Sequence, residues 1–256
     1  MSPTSVSELR GQAQVLPRFS AHVTALSRRP NRTRFERSMV FGSPRGRVAN
    51  SPPRPWCLSR AKRTVDLLGA AVLLVLSAPV FLFAAIAIKL ATPGPIFFRQ
   101  WRTGFRGERF LLLKFRTMRE DADDLKESLR LLNHHGPNSP DFKIRNHPQV
   151  TPVGRVLRRL SLDELPNLLN VLAGQMSLVG PRPTSFDICS YEDRHLVRLT
   201  VPPGLTGLWQ ISGRGDVDFD GRVELDSRYI QNQSPLLDLK ILILTPMRVL
   251  WGRGAY

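Results

Sequence analysis

The sequence predicts an α+β protein that is mainly helical. A re-entrant membrane helix hairpin near the N-terminus is followed by a compact domain with amphipathic helices at the membrane interface. Three observations support this prediction. The first is a long apolar run at residues 67–88. The second is a pair of short strand-like runs at residues 96–99 and 110–115, separated by two glycines. The third is the helical spacing of apolar residues further along the chain.

The apolar run is long enough to cross a membrane. Its 22 uncharged residues, 67–88, lie between Asp66 and Lys89. As a continuous helix they would extend about 33 Å, against a hydrocarbon core of about 30 Å. The run is interrupted at its middle by Ser77 and Pro79, and a proline inside a helix removes a backbone donor and clashes with the preceding turn. Ser77 and Pro79 therefore mark the place where the helix is expected to kink or turn back.

Basic residues flank the run on both sides. Lysine and arginine next to a membrane segment are retained on the cytoplasmic side. Here they occur at positions 54, 60, 62 and 63 before the run and at 89, 99, 102, 106 and 109 after it. Such flanks favour a re-entrant hairpin over residues 61–91 that enters one leaflet and returns, with residues 92–256 on the cytoplasmic side. The alternative is an ordinary transmembrane helix that is kinked at its proline.

Residues 1–60 form a distinct basic segment. They contain 11 arginines, no lysine, no aspartate and 2 glutamates, which supply +9 of the formal net charge of +16. The segment is rich in serine and proline and has no sustained apolar period, so it is predicted to be a disordered tail. Its arginines would bind anionic membrane lipid at about 1 kcal/mol each. No nucleic acid is expected as a partner, because few aromatic residues accompany the arginines and no binding motif is present.

Residues 92–256 are long enough for one compact domain with its own core. Leucines within residues 120–133 follow one helical stripe. Residues 153–172 alternate basic and apolar side chains and predict a helix, in which Pro166 must lie near a start or mark a kink. Residues 238–251 are apolar but too short to cross a bilayer, so they predict either a core element or an amphipathic helix at the interface.

The candidate catalytic groups are concentrated between residues 158 and 183. Asp163 and Glu164 are adjacent carboxylic acids, and Ser161 with Glu164 has the spacing of a helix capping box. On that interpretation the acids would serve only a helix N-terminus. Arg182, however, lies between two prolines. A planar guanidinium on a rigid turn is suited to binding an oxyanion such as phosphate.

Further cations strengthen the phosphate hypothesis. Residues 114–117 end the apolar run at 110–113 and supply two cations, Lys114 and Arg116, with the hydroxyl of Thr117. Together with an acidic pair, such cations make a site for phosphoryl transfer, where catalysis depends on positioning and charge neutralisation. A second carboxylate beside a nucleophilic one would help to hold a divalent cation, normally Mg²⁺. Asp163 and Glu164 are therefore the predicted metal ligands.

Several sequence blocks, taken in order, resemble one known family. They are residues 62–66, 94–100, 114–118, 163–164, 177–183, 203–210 and the segment from 225 onward. Over about 195 residues the chain is similar to the bacterial sugar transferases that act on polyprenyl phosphate, the monotopic phosphoglycosyl transferases. Members of that family enter one leaflet through a helix broken at a Ser-Pro pair. Here Ser77 and Pro79 are spaced one residue wider than in some members.

The resemblance implies a two-step reaction. Asp163 would attack the β-phosphate of a UDP-sugar, releasing UMP and leaving a phosphosugar on the aspartate, which undecaprenyl phosphate would then attack. Glu164 would be the partner acid, as a Mg²⁺ ligand or a proton acceptor. Lys114 would be the third catalytic residue. The residues expected to bind phosphate or substrate are Arg116, Arg158, Arg182 and Asp226.

The resemblance also implies a location and a pathway. The enzyme would lie in the bacterial inner membrane with its catalytic domain facing the cytoplasm. It would initiate the assembly of an exopolysaccharide, capsule or O-antigen type glycan, as a short form without extra transmembrane helices. Two alternatives compete with this prediction. A conventional glycosyltransferase would release UDP, but the chain lacks a glycine-rich nucleotide fingerprint. A catalytically silent membrane scaffold would use its basic tail to dock lipid or nucleic acid.

Overall fold

The computed structural model describes residues 55–119, 144, 147–212 and 217–251, and all of them belong to one compact unit, Asn50–Tyr256. The predicted tail up to residue 54 and the predicted helix at residues 120–133 lie outside the described residues. The fold is α+β and mostly helical, as predicted. The elements are α1 (Arg60–Ala91), β1 (Phe97–Thr103), β2 (Arg109–Phe115), α2 (Pro152–Arg159), α3 (Asn167–Leu172), β3 (Ser177–Val179), β4 (Gly204–Thr206), α4 (Leu208–Ser212), α5 (Phe219–Gln231) and α6 (Pro235–Trp251).

Helix α1 is 32 residues long and contains the apolar run. It begins after Ser59, whose hydroxyl accepts a hydrogen bond from the Lys62 backbone N–H at 3.0 Å. The helix continues through Pro79, and the Ser77 hydroxyl donates to the Leu73 carbonyl at 2.6 Å, one turn earlier. By length and composition α1 could cross a membrane. The re-entrant path through Ser77 and Pro79 stays a prediction.

One stripe of α1 packs against the rest of the unit along its whole length. Ala70, near the start of the helix, belongs to a core cluster that includes residues of α3 and β3. Ile88, near its end, belongs to a second cluster with Phe115 and Leu157. Positions that are buried or half-buried repeat every three or four residues from Lys62 to Ile88, which is the period of one helix face. The remaining surface of α1 is apolar and exposed, at Val65, Leu68, Val72, Val75, Leu76, Leu82, Phe83, Ile86 and Leu90.

Strands β1 and β2 form an antiparallel hairpin in which Phe97 pairs with Phe115 and Thr103 with Arg109. Both predicted strands are confirmed, although the first extends beyond residue 99 to Thr103. Phe115 is buried, whereas Trp101 is exposed. The hairpin carries Lys114 towards the segment that contains the acidic pair.

The helical pattern predicted over residues 153–172 forms two helices, and Pro166 lies at the start of the second, which is one of the two positions predicted for it. Helix α2 ends at Arg159, and Ser161 then adopts a left-handed conformation with φ 53°. A short 3₁₀ turn, Leu162–Glu164, precedes Pro166, the N-cap of α3. A proline lacks the N–H that a continuing helix needs, so the chain restarts there. The capping box is also absent, because Ser161 makes no side-chain cap hydrogen bond at this turn.

Strands β3 and β4 form a short parallel pair that fixes the segment leading to Arg182. The Gly180 N–H donates to the Thr206 carbonyl at 2.9 Å, and the Gly204 N–H donates to the Pro181 carbonyl at 2.8 Å. The two glycines approach so closely that a Cβ on Gly204 would lie 2.1 Å from the Gly180 nitrogen. Arg182 therefore follows a backbone segment that is held on one side by β4.

Helix α6 closes the unit against α1. Lys62 of α1 lies 3.0 Å from the Asp238 carboxylate of α6 and 2.7 Å from Asp66 of its own helix, and all three side chains are buried. Ile241 is fully buried, while the opposite side of α6 exposes apolar residues such as Leu236. The predicted segment 238–251 is thus a helix that contributes to the core. Its position at a membrane interface stays a prediction.

Candidate active site

Glu164 is the centre of a charged cluster that three separate segments build. The Lys114 ammonium at the end of β2 lies 2.7 Å from Glu164 Oε1. Arg182 Nη1 donates to Glu164 Oε2 at 2.8 Å, and Arg182 Nη2 contacts Oε1, so the guanidinium engages both carboxylate oxygens. Such paired contacts fix the plane of the guanidinium. The structure therefore brings together three residues that the sequence predicted as catalytic or phosphate-binding.

Asp163 lies beside this cluster but outside its ion pairs. It is buried in the Leu162–Glu164 turn. Among the described residues its carboxylate has no hydrogen-bond or ion-pair partner, whereas both oxygens of neighbouring Glu164 are engaged. Of the two adjacent acids, Asp163 is thus the one whose carboxylate is available to react.

The electrostatics of the two acids differ in direction. Burial raises the pKa of Asp163, and the charge of Glu164 adds to that rise, while Lys114, Arg158 and Arg182 oppose it. Burial alone would also raise the pKa of Glu164, but Arg182 and Lys114 together hold it well below the ordinary value. Adjacent carboxyl groups with pKa values displaced in opposite directions are typical of sites that give each acid a different role.

Arg182 is supported from behind by a buried ion pair. Its backbone carbonyl accepts a hydrogen bond from Arg198 Nη2 at 2.9 Å, and Arg198 Nε donates to Asp226 at 2.7 Å. Burial raises the pKa of Asp226 to about 6, and Arg198 opposes that rise. In this structure Asp226 positions Arg198, which in turn holds the backbone of Arg182. A direct contact between Asp226 and phosphate or substrate stays a prediction.

The two other predicted phosphate ligands make protein contacts. The Arg116 guanidinium is buried and donates to the Pro93 carbonyl at 2.5 Å and the Thr92 carbonyl at 2.8 Å. These bonds fix the turn that leaves α1. Arg158 Nε donates to the Thr117 hydroxyl at 2.9 Å, and burial lowers the pKa of Arg158. Phosphate binding by Arg116 and Arg158 stays a prediction.

A small cleft opens beside the cluster. It is lined by Arg102, Leu112, Lys114, Asn167, Met176, Arg182, Pro183, Gly204 and Leu205. Three of these residues carry positive charge, so the cleft is suited to a phosphorylated ligand. The sequence interpretation missed Arg102 and Asn167 as lining residues. The position of Asn167, three residues after Glu164, was a signal in the local sequence that it could lie near the site. Arg102 had no such signal, because only the register of the β1–β2 hairpin brings it to the cleft.

The predicted Mg²⁺ ligands are adjacent, but they are only two. Within the described ranges no cluster of three or more His, Cys, Asp or Glu side chains is suited to a metal. Mg²⁺ is commonly held by one or two carboxylates together with substrate phosphates. Asp163 and Glu164 fit that pattern as a donor set, and magnesium binding stays a prediction.

Comparison with known proteins shows the family. The family described as "Bacterial sugar transferase" matches residues 57–252. The chain belongs to the bacterial sugar transferase family. All of the residues of the charged cluster lie inside the matched range. This sugar transferase is therefore an enzyme, which argues against the silent scaffold.

Individual relatives of the sugar transferase support the same class. The "Exopolysaccharide production protein ExoY" of Rhizobium meliloti (strain 1021) is 45% identical over 199 residues, which cover 77% of this chain and 88% of the relative. A Caulobacter vibrioides protein named "UDP-glucose:undecaprenyl-phosphate glucose-1-phosphate transferase" is 43% identical, with 76% of this chain and 72% of the relative covered. The "Undecaprenyl-phosphate galactose phosphotransferase" of Salmonella typhimurium is 41% identical, with coverage of 76% and 41%.

Proposed function

We propose that this sugar transferase moves a sugar 1-phosphate from a UDP-sugar to undecaprenyl phosphate and releases UMP. The observation that carries the proposal is the arrangement of the acidic pair. Glu164 is held by Lys114 at 2.7 Å and by Arg182 at 2.8 Å, while the adjacent Asp163 carboxylate has no partner among the described residues. The names of the Salmonella and Caulobacter relatives supply the substrate classes.

The first step of the proposed reaction uses Asp163 as the nucleophile. A carboxylate oxygen of Asp163 attacks the β-phosphorus of the UDP-sugar, and the bond from that phosphorus to the bridging α–β oxygen breaks. UMP leaves with the electron pair, and the sugar phosphate stays on Asp163 as an acyl phosphate. Lys114 and Arg182 neutralise the charge on the phosphate oxygens. The raised pKa of Asp163, caused mainly by burial, favours a more basic carboxylate once it is ionised.

The second step restores the enzyme. A phosphate oxygen of undecaprenyl phosphate attacks the same phosphorus, and the bond to the Asp163 oxygen breaks. The products are the free carboxylate and an undecaprenyl diphosphate sugar. Asp163 and Glu164 would hold Mg²⁺, which when bound would screen the charge of the diphosphate. Glu164 also keeps Lys114 and Arg182 in place between the two steps.

The packing of α1 supports a site on one face of the membrane. Asp66 and Ile88, near the two ends of the helix, are both buried against the same compact unit. A straight helix that crossed a bilayer would separate these residues by about 33 Å along the membrane normal. We therefore place both ends on the cytoplasmic side of the bacterial inner membrane, where a soluble UDP-sugar and a lipid phosphate can meet.

Cysteine labelling tests this topology. Cys189 is exposed and is first replaced by serine, whereas Cys57 is buried. Single cysteines at the exposed positions Arg60 and Ala91 are then exposed to a membrane-impermeant maleimide in sealed vesicles of each orientation. Labelling of both positions from the cytoplasmic side only is expected. Labelling from opposite sides would establish a transmembrane helix and overturn the re-entrant path.

Nucleotide release tests the reaction. The purified full chain is mixed with undecaprenyl phosphate, Mg²⁺ and a panel that includes UDP-glucose and UDP-galactose, with Asp163→Asn in parallel. We expect UMP from the wild-type enzyme and none from the variant. Release of UDP would indicate a conventional glycosyltransferase instead.

A further inference from the structure

Asn167 carries a buried polar atom that the fold leaves without a partner. The residue is 3% exposed and lines the cleft together with Lys114 and Arg182. Its side-chain carbonyl oxygen, Oδ1, is shielded from solvent and accepts no hydrogen bond within the part of the chain that the structure describes. Buried polar atoms are nearly always paired, because an unpaired one costs free energy. An orphaned acceptor at the wall of a charged cleft indicates a ligand contact.

Asn170, on the same helix α3, shows what a structural asparagine looks like here. It is equally buried, at 3% exposure. Its Oδ1 accepts from the Leu113 N–H at 3.1 Å, and its Nδ2 donates to the Leu111 carbonyl and to Gln175 Oε1, each at 2.7 Å. Both faces of the Asn170 amide are thus used to join α3 to β2 and the following turn. The fold satisfies Asn170 and leaves Asn167 unsatisfied three residues away.

The chemistry of the orphaned atom restricts the ligand. An amide oxygen can accept a hydrogen bond but cannot donate one. Ionised phosphate oxygens are also acceptors, so they would bind to Lys114 and Arg182 in the same cleft and not to Asn167 Oδ1. A polyprenyl chain has no polar group. A UDP-sugar, in contrast, carries hydroxyl groups on both sugars and an N–H on its base.

We infer that Asn167 accepts a hydrogen bond from a hydroxyl or N–H group of the UDP-sugar. This inference rests on the proposed function and deepens it, because it separates the cleft into groups that bind phosphate and one that recognises the rest of the nucleotide sugar. Asn167 follows Glu164 by three residues and is the first residue of α3, directly after the N-cap Pro166. The contact would therefore orient the donor relative to the acidic turn before the first step.

Two matched variants test the inference. Asn167→Leu removes the amide but keeps the branching and the number of heavy atoms, and Asn170→Leu makes the same change at the structural position. In a two-step reaction, kcat/KM for the UDP-sugar reports only the first half-reaction, and kcat/KM for undecaprenyl phosphate reports only the second. We expect Asn167→Leu to lower kcat/KM for the UDP-sugar about tenfold, the loss of one hydrogen bond to a buried group. The value for undecaprenyl phosphate should stay at the wild-type level.

Thermal stability separates binding from structure. Because Asn167→Leu removes an unpaired buried acceptor, its Tm should equal or exceed that of the wild type, whereas Asn170→Leu should lower Tm. The inference is overturned if Asn167→Leu leaves kcat/KM for the UDP-sugar unchanged. It is also overturned if the variant lowers Tm as much as Asn170→Leu, or lowers both kcat/KM values equally.

A binding measurement keeps the inference separate from the proposed function. UDP-glucose and UDP-galactose are added to the wild type and to Asn167→Leu without lipid, and the rise in Tm is measured. A smaller rise in the variant supports the contact even if no UMP is released, a result that would overturn the proposed function alone. Equal rises, or no rise in either protein, would overturn the Asn167 contact.

Discussion

The substitution Gly204→Ala should separate the two strands that hold Arg182. A Cβ at residue 204 would lie 2.1 Å from the Gly180 nitrogen and 2.6 Å from its oxygen. Both atoms belong to the backbone, so no side-chain rotation relieves the contact. The segments that carry Gly180 and Gly204 must move apart by about 1 Å to reach an ordinary van der Waals distance.

The magnitude follows from the bonds that join these segments. Besides the pairing of β3 with β4 itself, three backbone hydrogen bonds of 2.8 to 2.9 Å link residues 177–181 to 203–206. At about 1 kcal/mol each, their loss would lower the free energy of unfolding by about 3 kcal/mol. In a chain of this size that corresponds to a fall in Tm of about 6–12 °C. Displacement of Arg182 by about 1 Å would lower kcat/KM about 100-fold.

Thermal unfolding in detergent and UMP release measure the two effects on the same preparation. Gly69→Ala is the matched control, because its added Cβ would meet only the end of the Leu178 side chain, at 2.7 Å. Alanine also favours a helix interior over glycine by about 1 kcal/mol. The control should keep both Tm and activity near those of the wild type. Wild-type values for Gly204→Ala would refute the claim that the β3–β4 contact positions Arg182.

Three further substitutions test the site. Lys114→Met should raise the pKa of Asp163, because the lysine charge opposes the effect of burial. The acidic limb of a pH–rate profile should therefore move to higher pH. An acidic limb at the wild-type pH would contradict this prediction. The pKa of Glu164 is depressed in the folded state, so the ionised carboxylate stabilises the fold at pH values above its ordinary pKa of 4.5. This stabilisation is lost as the pH falls through the depressed pKa. On acidification, the Tm of Glu164→Gln should therefore fall by less than the Tm of the wild type. Arg116→Met should lower Tm by several degrees with near-normal kcat/KM at low temperature, because Arg116 bonds the turn after α1; a large loss of kcat/KM would indicate phosphate contact.

Elements with a strong local signal were predictable from the sequence. The apolar run predicted a helix over residues 61–91, and α1 covers Arg60–Ala91. The two strand-like runs are strands because each is short, apolar and bounded by glycine or a turn. Pro166 predicted a helix start or a kink, but the end of α2 at Arg159 was not predicted, since the side chains of residues 153–172 keep a helical pattern. The left-handed backbone at Ser161, with φ 53°, has no counterpart in that pattern.

The site shows the same division. Asp163, Glu164, Lys114 and Arg182 were identified through residue chemistry and family resemblance, and the structure brings the last three into contact although they lie up to 68 residues apart in the sequence. The support of Arg182 by Arg198 was missed, because nothing in a lone arginine distinguishes a buried ion pair from a solvated surface charge. Asn167 was missed for a related reason: an unpaired buried atom is a property of the folded site.

The central claim is that Asp163 carries the phosphosugar between two half-reactions. It is tested most directly by mixing the purified enzyme with its UDP-sugar without undecaprenyl phosphate and measuring UMP and the mass of the protein. We predict one UMP per active site, a mass increase equal to one sugar phosphate located on Asp163, and neither result with Asp163→Asn. The absence of UMP until the lipid is added, with an unmodified Asp163, would contradict the covalent mechanism and indicate direct transfer between the two substrates.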